Sequence, residues 1–176
     1  MQITKIHILN DRVSIEWRKP FSKGDDIAYD EYALKCSEPA VPELNMTLQS
    51  LKADILEICE LADGYENGIR VTGVSITHND DIWGVVISAV KTLKKAKVPF
   101  NIHTPFRSAV ADTADAGRLN CLSLDCVTRL ERLMGLAEGY VNGDRAQGKI
   151  FNEPEDAESK RRPRRGPSLH RAGANN

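Results

Sequence analysis

The sequence predicts an α+β fold: a single mixed or antiparallel sheet of about five strands (β-β-β-α-β-α-β), helices on one face, then a C-terminal helix and a disordered tail. Three observations predict it. Most of the first 36 residues alternate apolar and polar side chains with period two, the pattern of half-buried strands. Leu44, Leu48, Leu51, Ile55, Ile58 and Cys59 instead recur at steps of three and four, which places them on one face of a helix. The β-branched run IRVTGVSIT at 69–77 then returns to strand chemistry.

Residues 3–9 and 12–19 form a predicted hairpin, with Ile6 and Ile8 on one face and Val13, Ile15 and Trp17 on the face that meets it. Asn10 and Asp11 make its turn, because both tolerate positive φ. PFSKGDD at 20–26 reads as a polar loop, and 29–36 as a third strand with Tyr32, Leu34 and Cys36 inward. Pro42 suits the first turn of the helix that follows, which the spacing carries to Leu61 before Asp63-Gly64 ends it. Gly73 marks a bulge in the next strand.

Asn79, Asp80 and Asp81 offer N-caps for a second helix. Its residues, from Ile82 and Trp83 through Val90 to Leu93, are apolar nearly all round, so it is expected to be deeply buried. Lys91, Lys94, Lys95 and Lys97 would complement its C-terminal dipole. Residues 98–105 follow as a strand, where Pro99 demands a first position or an edge. After a patternless stretch, Ser123 caps a third helix, Leu122 and Val127 have staple spacing, and Asn142-Gly143 ends it. The chain thus divides into a core domain at 1–105, a loop at 106–122, a helix with a border segment at 123–151, and a basic tail at 152–176.

No apolar run approaches the roughly 18 residues of a spanning helix. The first residues also lack the apolar block and small-residue site of a signal peptide, so a cytoplasmic protein with no membrane partner is expected. Four cysteines are too few and too scattered for a disulfide framework in that compartment. The net charge of −1 hides a division: the tail carries six basic and four acidic residues, leaving −3 for residues 1–151. Lys160, Arg161, Arg162, Arg164 and Arg165 form a block that could meet nucleic acid phosphates or keep a disordered end in solution.

No phosphate-binding glycine loop, dinucleotide fingerprint or nucleophile elbow is present, so a non-enzymatic protein without a cofactor is expected. His7 and His103 fall on the strand faces opposite the expected core. His78 with Asp80 and Asp81, at a strand-to-helix corner, is a candidate for a metal or a general base, set against the simpler reading of helix caps. His103, Cys121 and Cys126 make a weaker zinc candidate with a missing fourth ligand. Cys126, in a first helical turn, would have its thiol pKa lowered by the dipole. Trp17, Tyr32 and Trp83 are assigned to the core, which leaves no aromatic platform for bases.

The border segment RAQGKIF places Ile150 and Phe151 between a helix and the tail. Gln147, Ile150 and Phe151 resemble the short peptide by which bacterial polymerases, repair proteins and clamp loaders dock on the sliding clamp. Gly148 and Lys149 depart from that pattern. The resemblance implies a glutamine hydrogen-bonded at a pocket rim and two apolar side chains filling the pocket. The alternative is that Ile150 and Phe151 fold back as the last contact of the third helix. More broadly, ITKIHI, ILEICEL, IRVTGVSIT, NIHTP and RAQGKIF together resemble a group of uncharacterised phage and prophage proteins that accompany DNA replication and recombination functions. That resemblance implies an accessory or regulatory factor of DNA metabolism that works by protein binding.

Overall fold

Two hairpins and a glycine bulge set the frame. A computed structural model describes residues 1–23, 26–62, 64–79, 82–93, 95, 97–109 and 120–145. Its strands are β1 (Gln2–Leu9), β2 (Arg12–Lys23), β3 (Asp26–Cys36), β4 (Ile69–Asn79), β5 (Ile82–Thr92), β6 (Pro99–His103) and β7 (Arg107–Ser108). The helices are α1 (Pro42–Ser50), α2 (Lys52–Ile58) and α3 (Leu124–Asn142). The seven-stranded sheet has the order β3-β2-β1-β4-β5-β6, with β7 also pairing β5. Its ladders between strands are antiparallel, and Met1–Ala146 forms one compact unit.

The first hairpin follows its sequence. Asn10 and Asp11 both take positive φ, 49° and 60°, the twist that a two-residue hairpin turn requires. Val13 and Ile15 are buried on one face with Ile6, as alternation demands, and the register shift between Ile3 and Lys5 turns Ile3 to the same face. Residues 20–23, expected as loop, are instead strand. Past Arg18, β2 has lost its β1 neighbour and is paired only with β3, the edge situation in which a strand accepts Pro20.

The expected single helix from Pro42 to Leu61 is two short ones. Ser50 Oγ donates to the carbonyl of Thr47 at 2.7 Å, and Leu51 N–H reaches Leu48 rather than residue 47. That tighter turn breaks the helix at Leu51. Leu44, Leu48, Leu51 and Ile55 nevertheless all remain buried.

The larger correction concerns 82–92. This segment is strand β5, not a helix, and it raises the strand count beyond five. Ile82, Val85, Val86, Ile87 and Val90 are β-branched, and Asn79 pairs with Ile82 across the hairpin. Side chains reading apolar all round a helix are here divided by period two: Val85, Ile87 and Ala89 are buried inward, while Val86, Ser88 and Val90 take the other face. Lys91 is accordingly no helix end. Its ammonium donates to the carbonyls of Tyr65 (2.5 Å) and Asn67 (2.8 Å) and lies over the Tyr65 ring. β6 begins with Pro99 and occupies a sheet edge, satisfying both demands of that proline. The expected loop after it contains β7, and Ser108 bridges to Cys121.

Three features close the core. Ser123 accepts a hydrogen bond from Cys126 N–H, and Gly143 ends α3 in the left-handed region at φ 115°. Asp54 and Arg129 form a two-bond ion pair between α2 and α3. The buried Tyr140 hydroxyl donates to the Glu38 carbonyl at 2.6 Å, fastening α3 to the chain leaving β3. The helices pack on β1 and β4, so one face of the sheet is core and no described helix covers the other.

Candidate functional site: an open sheet face and a projecting arm

The register of five ladders produces one transverse row. Lys35 pairs with Ser14, Ser14 with His7, His7 with Gly73, Gly73 with Ser88, and Ser88 with His103. Directly paired residues lie on the same face of an antiparallel sheet. Six strands therefore contribute one residue each to a row of small, hydroxyl, imidazole and ammonium groups on the open face. With strands about 4.8 Å apart, the row spans roughly 24 Å.

Gly73 is required at its centre. A Cβ there would stand 2.3 Å from the Ile6 carbonyl oxygen and 3.2 Å from His7 Nδ1. The bulge between Val71 and Gly73 brings β4 this close to β1, and the His7 ring occupies the space a side chain would take. Burial, with the nearby Lys5 ammonium, holds the His7 imidazole below its ordinary pKa. At the far end, Ser88 Oγ and His103 Nδ1 are 2.9 Å apart.

Arg12, two residues before Ser14 on the same face, joins Lys35, His7 and Ser14 in lining an open groove beside the first turn. Arg70 emerges from β4 on this face at the same end of the sheet. Among the described residues none of Arg12, Lys35 and Arg70 has a carboxylate within salt-bridge distance; Lys5, further along β1, is 3.5 Å from Glu16. The open face thus carries Lys5, Arg12, Arg18, Lys35 and Arg70 against Glu16 and Glu31. The three helices carry six carboxylates against three cations. Phe106 lies across Gly84 on the open face, where its ring atoms fill the position of a Cβ, and it is 51% exposed.

The second surface is the arm. Five β2–β3 pairs, from Lys19↔Asp30 to Lys23↔Asp26, continue beyond the last β1–β2 pair. Phe21 and Ile27 are 43% and 68% exposed there, one on each face of the ribbon, with Tyr29 beside Arg18. At its root Trp17 stacks on Tyr32, and its buried Nε1–H has no acceptor among the described residues. Tyr32 is exposed rather than the core residue its pattern suggested.

Of the residues singled out by sequence, His78 lies within β4 and bonds through Nε2 to the Ile3 carbonyl at 2.9 Å, not at a strand-to-helix corner. Asp80 and Asp81 lie outside the described residues, as do Gln147, Ile150 and Phe151 and the basic block Lys160, Arg161, Arg162, Arg164 and Arg165. Among the described residues no group of three or more His, Cys, Asp and Glu is placed to share a metal ion. Cys126 is the reverse of a reactive thiol: burial, then the neighbouring Asp54 carboxylate, pushes it up to about 12. Cys36 is the lowered one, through the Tyr140 hydroxyl beside it and the Glu38 N–H.

His7 and His103 do lie opposite the core, as alternation indicated. That they belong to one row depends on the pairing of β1 with β4 and of β5 with β6, which no spacing in the sequence reveals. No described helix is long and apolar enough to cross a membrane. Compared with known proteins, the chain matches no family model, no curated sequence and no solved structure.

Proposed function

We propose that this chain is a non-enzymatic accessory protein that acts by holding another protein, and that the β2–β3 arm is the docking element of its folded domain. The arm carries the reading. A two-stranded ribbon has little stability of its own in water, yet this one displays Phe21, Ile27 and Tyr29. Its edge strand bears Asp26, Asp30 and Glu31, which discourage pairing with a second acidic copy. The complement is a partner surface with an apolar pocket and a basic rim. The resemblance to phage and prophage proteins supports a setting in DNA metabolism. The peptide Gln147, Ile150 and Phe151 supports the bacterial sliding clamp as one partner.

Two measurements test this. A photo-crosslinking residue at Phe21 is expected to capture a discrete replication or recombination protein in cells. Capture indistinguishable from that at Leu124, an exposed apolar residue of α3, overturns the arm's role. Purified clamp is expected to retain the wild-type chain and to release an Ile150→Ala/Phe151→Ala variant. Equal retention, or none by either, removes the clamp.

A further inference from the structure

We propose that the open sheet face binds single-stranded nucleic acid, its phosphates following the transverse row from Lys35 and Arg12 toward His103 and a base stacking on Phe106. None of its residues belongs to the arm or to the basic tail. Three observations converge on it.

The first is continuity. Lys35, Ser14 and His7 each offer a donor to an anionic oxygen, the hydrogen-bonded Ser88–His103 pair offers one more, and all five occupy one row instead of being scattered. A row of roughly 24 Å is longer than a single phosphate needs, and Gly73 keeps its middle low. The second is charge. Arg12 and Lys35 flank the groove at one end without a carboxylate partner among the described residues, so no existing ion pair must break when an anion arrives. The acidic helices occupy the other side of the sheet, which orients an approaching polyanion toward the open face. The third is the exposed Phe106 ring on the same face, since stacking on an aromatic is how single strands are held without reading sequence. A duplex keeps its bases stacked inside and gains nothing from Phe106.

The test uses the full chain and fluorescence anisotropy with a labelled 20-nucleotide oligo-dT. Wild type is expected to bind it at least tenfold more tightly than a duplex of equal length. Arg12→Glu/Lys35→Glu should weaken binding at least tenfold in 100 mM salt. Its plot of log affinity against log salt should be shallower by about 1.4, the value for two lost contacts to a single strand. Arg132→Glu, which reverses an exposed charge on α3, should change affinity less than twofold. Phe106→Ala should weaken the single strand while leaving duplex binding as it was.

Far-UV circular dichroism checks that each variant is folded. His7→Gln, which keeps the ring's volume closely and removes the imidazole, supplies a second reading of the row. Undiminished binding by Arg12→Glu/Lys35→Glu overturns the proposal and assigns any affinity to the tail. Equal loss in Arg132→Glu overturns it by showing a charge effect without a location. Full competition by inorganic phosphate at the nucleotide concentration overturns it in favour of a small-anion site.

Discussion

Arg129 makes two hydrogen bonds to the carboxylate of Asp54, from Nε at 3.2 Å and Nη2 at 2.6 Å, and so joins α2 to α3 across 75 residues of chain. The two partners are unequally placed: the Asp54 side chain is 2% exposed and that of Arg129 33%. Removing Arg129 strands a buried carboxylate, whereas removing Asp54 leaves a guanidinium that water can reach. Arg129→Ala is therefore expected to cost about 3 kcal/mol and Asp54→Ala distinctly less. Urea unfolding of the two variants measures the difference; equal losses would show that the pair is solvated in solution.

Gln49 supports the bulge that positions Gly73. Its side-chain amide donates to the Val71 carbonyl at 2.7 Å and its carbonyl accepts the Val71 N–H at 3.1 Å. Gln49→Ala leaves both backbone groups without those partners, and a loss of about 1–3 kcal/mol is expected. Hydrogen exchange provides the local readout: the Val71 amide should exchange faster in the variant while β2 amides keep their relative protection.

His7 links stability to pH. Its imidazole is held below the ordinary 6.5 by burial first and by Lys5 second. The unfolded chain therefore takes up this proton more readily than the folded one. The contribution is fully present above the unfolded value and is lost as pH falls from there through the folded value. Wild type should lose more stability than His7→Gln between pH 7.5 and pH 5. Parallel losses in the two proteins would contradict the assignment. An imidazole titration followed by NMR should show a midpoint under 6.5.

The cysteines should alkylate in a fixed order. With the Cys36 thiol protonated, the Tyr140 hydroxyl hydrogen goes to Glu38; a thiolate competes for it and is stabilised. Cys126 is buried and pushed up to about 12, and Cys59 is raised by burial. Iodoacetamide at pH 8, read by peptide mass spectrometry, should modify Cys36 before Cys59 and Cys126 last. Tyr140→Phe should slow Cys36 specifically. Faster labelling of Cys126 than of Cys36 would contradict both placements.

Much of the fold was readable because it rests on local chemistry. Asn10-Asp11 suited a tight turn, Pro99 a strand start or an edge, and Gly143 a helix end, since each depends on the φ its own residue accepts. The α+β class and the inward faces of β1 and β2 followed from period two. Segment 82–92 misled because a run apolar at most positions fits a buried helix and a central strand equally well. Its pairing with β4 and β6, distant information, decided between them.

The open face was readable only in fragments. The sequence placed His7 and His103 away from the core by alternation alone. Tertiary structure placed them in one row with Lys35, Ser14 and Ser88, because register across six strands depends on long-range pairing. The same holds for the arm: 20–26 reads as a polar loop, yet β2 and β3 stay paired from Lys19↔Asp30 to Lys23↔Asp26, beyond the last β1–β2 pair. Local conformation is written residue by residue, whereas a surface is made by residues that meet only after the chain has closed.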